Sequence, residues 1–221
     1  MSTQIDKSVN NTKKKWPKTK NFSSFDVPSA FKQLGIKNLH HWKIEAPPIG
    51  PTDFFKQRLA KLESFFDLRN YEESKKLIID ALCEEGMETS KYLKVWKGAL
   101  LRSDVTGGNV DYLIAEKKAY LEAPMLCIVE AKKDDFEKGL AQCLVEMQAC
   151  QWNNLQLGHS IEVLGIITNG ETWRFYRLTT DIKVYETLPY SMNDLEAIIG
   201  ALRFIFEQCE QSLLSVIDEQ E

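Results

Sequence analysis

The stretch CIVEAKK, residues 127–133, places a carboxylate and an ammonium at the end of an apolar run. Side chains alternate along a β-strand, so Glu130 and Lys132 project from the same face of a predicted buried strand. A carboxylate can bind a cation, and a neighbouring lysine can serve a water molecule or a phosphate. The spacing therefore indicates the parts of a hydrolytic site.

A second carboxylate is expected opposite the first. Residues 109–117 and 123–132 are predicted to form a β-hairpin, in which opposite residues have numbers that sum to about 241. This register brings Asp111 opposite Glu130, at the end of the hairpin away from its loop, with Lys132 on the same face. The three side chains would then share one edge of the sheet.

Two adjacent carboxylates repel each other unless a cation lies between them. Mg²⁺ suits such a pair, because it takes a few oxygen ligands and keeps several waters. A lysine beside the metal can orient a water or neutralise charge on a phosphate, which is the chemistry of metal-assisted phosphodiester hydrolysis. A structural alternative stays open: Glu130 and Lys132 could be a surface ion pair, and Asp111 a solvated acid near a turn.

The periodicity of the chain predicts the elements that position these groups. A helix is expected over 53–67, after a Pro/Gly-rich linker at 45–51. From residue 71 the pattern predicts a helix, three strands, a second helix, a hairpin and a closing helix. The predicted ranges are 71–86, 91–101, 109–117, 123–132, 134–152, 161–178 and 193–214.

Turn residues are predicted between several of these helices and strands. Gly86 is expected as the C′ residue of the first core helix, and DVTGGN (104–109) as a turn. Asn169-Gly170 favours a type I′ hairpin turn. The result is an α/β protein in which helices flank a mixed central sheet of about four or five strands.

Asp111, followed by Glu130-Ala131-Lys132 within helix–three strands–helix–strand, resembles the PD-(D/E)XK nuclease superfamily. The resemblance implies a restriction-endonuclease-like core that hydrolyses DNA with Mg²⁺, for which Mn²⁺ would substitute. Asp111, Glu130 and the carbonyl of Ala131 would bind the metal. Lys132 would act on the water and the scissile phosphate.

Many members of this superfamily add a glutamine early in the following helix and a glutamate in the first helix. Gln142 matches the glutamine, and Glu73 matches the glutamate, with Glu72 as the second choice. Asp104 is a rival for the role of Asp111. The ending GIITNGETWRFYRL (165–178) is similar to the nuclease domain at the N-terminus of type I restriction R subunits.

The same reading divides the chain into four parts: a disordered basic arm (1–24), an extension with one helix (25–69), the nuclease-like core (70–190) and a C-terminal helix (191–221). The last helix is expected to pack on the core or on a second copy of the chain. No helicase motor follows the core, so a separate motor or specificity subunit is an expected partner beside DNA.

Charge and cysteine usage add further expectations. Residues 1–20 carry six lysines and one acid, or +5; since the whole chain carries −4, the rest carries −9. The basic arm could contact nucleic acid.

The five cysteines form no CxxC pair, which indicates reduced thiols and a cytoplasmic protein. No apolar stretch reaches the length of a membrane span.

Three hypotheses follow from these residues. The preferred one is a Mg²⁺-dependent DNA endonuclease related to restriction or to a mobile element. The second keeps the fold without catalysis, as a nucleic-acid-binding or assembly subunit. The third makes residues 130–132 a structural ion pair in an unrelated α/β protein.

Overall fold

Five α-helices and eleven β-strands lie within residues 19–132 and 135–218, the part of the chain that the computed structural model describes. The helices are α1 (Val27–Leu34), α2 (Asp53–Phe65), α3 (Glu72–Gly86), α4 (Phe136–Gln156) and α5 (Leu195–Asp218). The strands are β1 (Lys20–Asn21), β2 (His40–His41), β3 (Leu93–Lys97), β4 (Leu100–Arg102), β5 (Thr106–Asn109), β6 (Tyr112–Glu116), β7 (Met125–Ala131), β8 (Val163–Thr168), β9 (Thr172–Leu178), β10 (Val184–Glu186) and β11 (Tyr190–Ser191).

A mixed central sheet holds most of the strands. Neighbours follow the order β2–β10–β9–β8–β7–β6–β3, and β11 also pairs with β9. β7 and β8 are parallel, as are β2 and β10, whereas the other pairs in this sheet are antiparallel. A smaller sheet has the order β1–β5–β4. The predicted α/β class with a mixed sheet is confirmed, although the central sheet has eight strands rather than the expected four or five.

β7 lies in the middle of the sheet. All of its residues are buried, and α4 forms the crossover from β7 to the parallel strand β8. A strand that is covered on both faces has a nearly continuous apolar sequence, which explains why β7 is apolar at almost every position. Glu130 is the exception: it is a carboxylate with 0% of its surface exposed.

Helices cover both faces of the central sheet. α2, α3 and α5 form one hydrophobic core with the first face, and α1 and α4 form a second core with the other. Along β7, Val129 belongs to the first core and Ile128 to the second. Since side chains alternate, Glu130 points to the same face as Ile128, toward α4.

The closing helix α5 packs on the core of its own chain. It buries Ile198, Leu202 and Phe206 against the sheet face that α3 also covers. Asp194 accepts a hydrogen bond from the backbone N–H of Ala197 at 3.3 Å and so caps the N-terminal end of the helix. All five cysteines are buried free thiols, as predicted, and no helix among the described residues could span a membrane.

The N-terminal part is more ordered than the sequence suggested. Disorder was predicted up to residue 24, but β1 pairs with β5, and a short 3₁₀ turn at Phe22–Ser24 buries Phe22. α1 was missed altogether, although Asp26 and Ser29 form its capping box. The first 18 residues, with most of the predicted basic arm, lie outside the described residues.

The predicted strand 91–101 is two strands in different sheets. Gly98 adopts φ +62° between β3 and β4, which turns the chain out of the central sheet. The predicted turn DVTGGN contains β5, which pairs with β4 from Gly107 onward. The alternation of side chains was irregular here because the two strands face different neighbours.

Two turn predictions were wrong. Gly86 is the last residue of α3 rather than its C′ residue, and its Cβ would lie 2.8 Å from the Cβ of Leu202, so the glycine allows α3 and α5 to approach closely. Gly170 has φ +86° whereas Asn169 stays at negative φ, so the turn is not type I′. Asn169 instead accepts hydrogen bonds from the backbone N–H groups of Glu171 and Thr172.

The predicted linker at 45–51 lies against α5. The backbone N–H of Ile49 donates to the carbonyl of Glu196 at 3.0 Å. A Cβ on Gly200 would lie 2.2 Å from the carbonyl oxygen of Pro47, closer than atoms can pack. This segment is therefore fixed to the helix rather than free.

Replacing Gly200 by alanine is expected to lower the free energy of unfolding by about 1–2 kcal/mol. Alanine would gain roughly 1 kcal/mol of helix propensity, but overpacking typically costs about 1–3 kcal/mol, and a 2.2 Å contact with a backbone carbonyl lies toward the upper end of that range. Urea unfolding measures the difference. Gly50→Ala is the control, because a Cβ there meets nothing within 4 Å. A Gly200→Ala protein as stable as the wild type would contradict the docking of this segment.

Candidate active site

The ends of β6 and β7 bring the two predicted carboxylates together. Tyr112 pairs with Val129, so Asp111 and Glu130 occupy the next position outward. The predicted register is observed at this end of the hairpin, as far as a bulge between Ile114 and Ala115. Asp111 Oδ2 accepts a hydrogen bond from the backbone N–H of Ala131 at 3.0 Å. The Asp111 carboxylate is therefore held at the carboxyl end of β7.

Lys132 follows β7 directly and turns toward α4. Its backbone N–H donates to the carbonyl of Thr168 at 2.9 Å, which continues the pairing with β8. Its ammonium lies 2.5 Å from Glu130 Oε1 and donates to Gln142 Oε1 at 3.2 Å. Gln142 is 7% exposed. The structure thus brings the predicted glutamine into contact with the predicted lysine.

Burial governs the charge state of this cluster. Burial and, after it, the charge of Asp111 raise the pKa of Glu130 to about 7, although Lys132 acts in the opposite direction. For Lys132, burial lowers the pKa, but the ion pair with Glu130 outweighs burial and the pKa is raised. Around neutral pH, Glu130 is therefore close to its titration point.

Glu146 is a site residue that the sequence reasoning missed. It is fully buried in α4, one turn after Gln142, whose Nε2 donates to Glu146 Oε1 at 2.9 Å. Burial and the charge of Glu130 raise the pKa of Glu146 well above its ordinary value. The spacing of four residues in GLAQCLVEM was the available signal, since such residues share one face of a helix.

Lys76 is the second residue that was missed. Its ammonium lies 3.2 Å from Asp111 Oδ1 and 2.8 Å from Glu73 Oε1. Burial lowers the pKa of Lys76, but the bond to Glu73 and the charge of Asp111 outweigh it and raise the pKa. Spaced three and four residues after Glu73 and Glu72, Lys76 had the pattern of an ordinary surface pair on a helix.

The structure does not bring Glu73 to Glu130. The Glu73 side chain is 83% exposed, and its link to the site is the bond to Lys76, which lowers the pKa of Glu73. Glu72, the second choice, is less exposed, at 43%, and its charge raises the pKa of Lys132. Asp104, the rival of Asp111, is exposed in the turn between β4 and β5.

The oxygen atoms of this cluster suit a hard cation. Within residues 19–132 and 135–218, Oε2 of Glu130 and Oε2 of Glu146 are buried without a hydrogen-bond donor, and Oε1 of Glu130 has only the ion pair with Lys132. No described group of three or more His, Cys, Asp or Glu side chains could hold a metal. Asp111 and Glu130 could supply two carboxylate ligands to Mg²⁺, which needs few protein ligands and keeps its waters.

The sequence matches no protein-family model and no curated protein.

Lys76→Met is expected to increase the affinity for Mn²⁺ about fivefold, since one partly buried ion pair contributes roughly 1 kcal/mol. The Lys76 ammonium occupies Asp111 Oδ1, so a metal has to displace it. Calorimetric titration without DNA measures the change. Lys56→Met is the control, because Lys56 forms an exposed pair with Asp53 on α2. Unchanged affinity in Lys76→Met would show that this lysine does not compete with metal.

Proposed function

We propose that this chain is a Mg²⁺-dependent DNA endonuclease with a restriction-endonuclease-like core of the PD-(D/E)XK kind. The observation that carries the proposal is the meeting of four residues in the expected order. Asp111 is bound at the end of β7, Glu130 is buried beside it, and Lys132 lies between Glu130 and Gln142. DNA as the substrate follows from the resemblance to type I restriction R subunits.

The roles of the residues follow from their contacts. Asp111 and Glu130, with the Ala131 carbonyl, would hold Mg²⁺ or Mn²⁺, and the ion would supply a polarised water and neutralise phosphate charge. Lys132 is partly exposed, with 17% of its side chain accessible, so its ammonium can reach a phosphate or a water. Gln142 keeps that ammonium beside Glu130. Because two sides of the ammonium are already bound, its direction is fixed before substrate arrives.

Buried carboxylates at this strand end favour a catalytic role over a structural ion pair. A carboxylate with no exposed surface and no well-aligned donor costs stability, and replacing such a pair by apolar residues often stabilises a protein. Glu130 is in this state within the described part of the chain. A cation-binding role gives a reason for keeping it.

One observation favours the second hypothesis, a nucleic-acid-binding or assembly subunit without catalysis. Each predicted metal-binding carboxylate already has an ammonium partner: Lys132 at Glu130 and Lys76 at Asp111. In such a site the two ammonium groups could balance the charges of the two carboxylates without a metal. A separate motor or specificity subunit would then act beside this chain on DNA.

Labelled DNA oligonucleotides separate the two functions. Binding is measured in Ca²⁺ and in EDTA, and cleavage is measured in Mg²⁺ and in Mn²⁺, with Asp111→Asn beside the wild type. The endonuclease predicts cleavage that needs the metal and disappears in Asp111→Asn. DNA binding that is unaffected by EDTA and by the substitution, with no cleavage, would contradict it and support the non-catalytic subunit.

A further inference from the structure

Glu146 is a buried carboxylate without an ion-pair partner. It is 0% exposed, and no Lys, Arg or His among the described residues pairs with it. An unpaired carboxylate in an apolar helix face costs several kcal/mol unless it is neutralised or hydrogen-bonded. Its carboxylate lies beside that of Glu130 and accepts a hydrogen bond from Gln142, which points to a role through that glutamine.

The contact decides how the Gln142 amide is oriented. An amide has a donor end and an acceptor end, whereas a lysine ammonium can only donate. Glu146 Oε1 accepts from Gln142 Nε2 at 2.9 Å, and Gln142 Oε1 accepts from Lys132 at 3.2 Å. Without the acceptor at Glu146, the amide loses the contact that keeps its NH₂ group turned away from Lys132.

We propose that Glu146 is a positioning residue of the nuclease site: it fixes the Gln142 amide so that the amide oxygen holds the Lys132 ammonium beside Glu130. This role rests on the function proposed above, since it concerns the same lysine. What the role requires of Glu146 is an acceptor oxygen, and its charge is not needed. Groups that hold a site residue in place typically contribute about 10–100-fold to activity.

Two substitutions of Glu146 distinguish the effect of its acceptor oxygen from the effect of its charge. Glu146→Gln keeps an acceptor oxygen at the same distance and removes the charge, so cleavage is expected to stay within about threefold of the wild type. Glu146→Leu removes the acceptor and is expected to reduce cleavage by about 10–100-fold. In a Gln142→Leu background, Glu146→Leu is expected to have no further effect, because residues that act through each other are not additive.

The side-chain amide of Gln142 gives a readout that is independent of cleavage. In nitrogen–proton NMR spectra of the full chain, its NH₂ protons are expected to exchange slowly in the wild type and in Glu146→Gln, and rapidly in Glu146→Leu. Gln142→Leu identifies the signal. Gln151→Leu is the matched control, since Gln151 is a buried glutamine of α4 that donates to the Thr179 carbonyl at 3.0 Å.

The outcomes are distinct. Gln142 NH₂ signals that do not change in Glu146→Leu overturn the proposal, as does equal loss of cleavage in the Gln and Leu variants. Changed signals, with cleavage lost in Glu146→Leu alone, support it. If the signals change as expected but the wild type cleaves no DNA, the contact between Glu146 and Gln142 stands and the nuclease function fails.

Discussion

Replacing Lys132 by methionine is expected to reduce metal-dependent DNA cleavage by about 10³-fold, since removal of one preorganised electrostatic group typically costs about 10²–10³. The lysine ammonium is held by Glu130 and Gln142, whereas Lys76, the other lysine at the site, is bound to Asp111 and Glu73. Methionine has a similar length and no charge, so packing beside α4 is largely kept. Single-turnover cleavage of an oligonucleotide measures the loss.

Metal binding should survive the same substitution. Lys132 is not expected to bind the metal, and its ammonium competes with a cation for Glu130 Oε1. Calorimetry should therefore show Mn²⁺ binding to Lys132→Met that is at least as tight as binding to the wild type. Lys183→Met is the control, because Lys183 pairs with Asp181 beyond the end of β9 that lies away from the site. Cleavage by Lys132→Met at the wild-type rate would show that Lys132 has no role in catalysis.

Glu130→Gln is expected to abolish cleavage and, without metal, to stabilise the fold at alkaline pH. The amide cannot supply the anionic ligand, so a cleavage loss of about 10³-fold or more is expected. The folded protein raises the pKa of Glu130 from 4.5 to about 7, mainly by burial. Between these values the folded chain keeps a proton that the unfolded chain releases. The free energy of unfolding therefore falls as the pH rises through this range.

The size of this effect on stability depends on pH. At pH 8 in EDTA, Glu130→Gln should be more stable than the wild type by about 1–3 kcal/mol, and near pH 4 the difference should vanish. Thermal unfolding at both pH values measures it. Glu137→Gln, an exposed acid in the first turn of α4, is the control. A variant that is less stable at pH 8 would show that the ion pair with Lys132 outweighs the cost of burial.

The strand-end geometry was predictable from the sequence because it depends on local rules. Alternation along β7 and the pairing of β6 with β7 are enough to place Asp111 and Glu130 together. Gln142 followed from the resemblance and from the start of α4. These residues are close along the chain or joined by one hairpin.

The residues that were missed depend on contacts between distant elements. Lys76 reaches Asp111 because α3 packs across the end of β6, and no local pattern distinguishes this from a surface pair. Glu73 was chosen over Glu72 on helical phase alone, although the facing element decides which acid turns inward. The break at Gly98 was missed because an irregular alternation of apolar residues fits one strand as well as two strands in different sheets.

Incubation of supercoiled plasmid with the purified chain in Mg²⁺, beside its Asp111→Asn variant, tests the central claim most directly. The account predicts that the wild type nicks or linearises the plasmid, that EDTA stops the reaction, and that Asp111→Asn leaves the plasmid supercoiled. Cleavage at equal rates by both proteins, or a plasmid left intact by the wild type in both Mg²⁺ and Mn²⁺, would contradict a metal-dependent nuclease site at the end of β7.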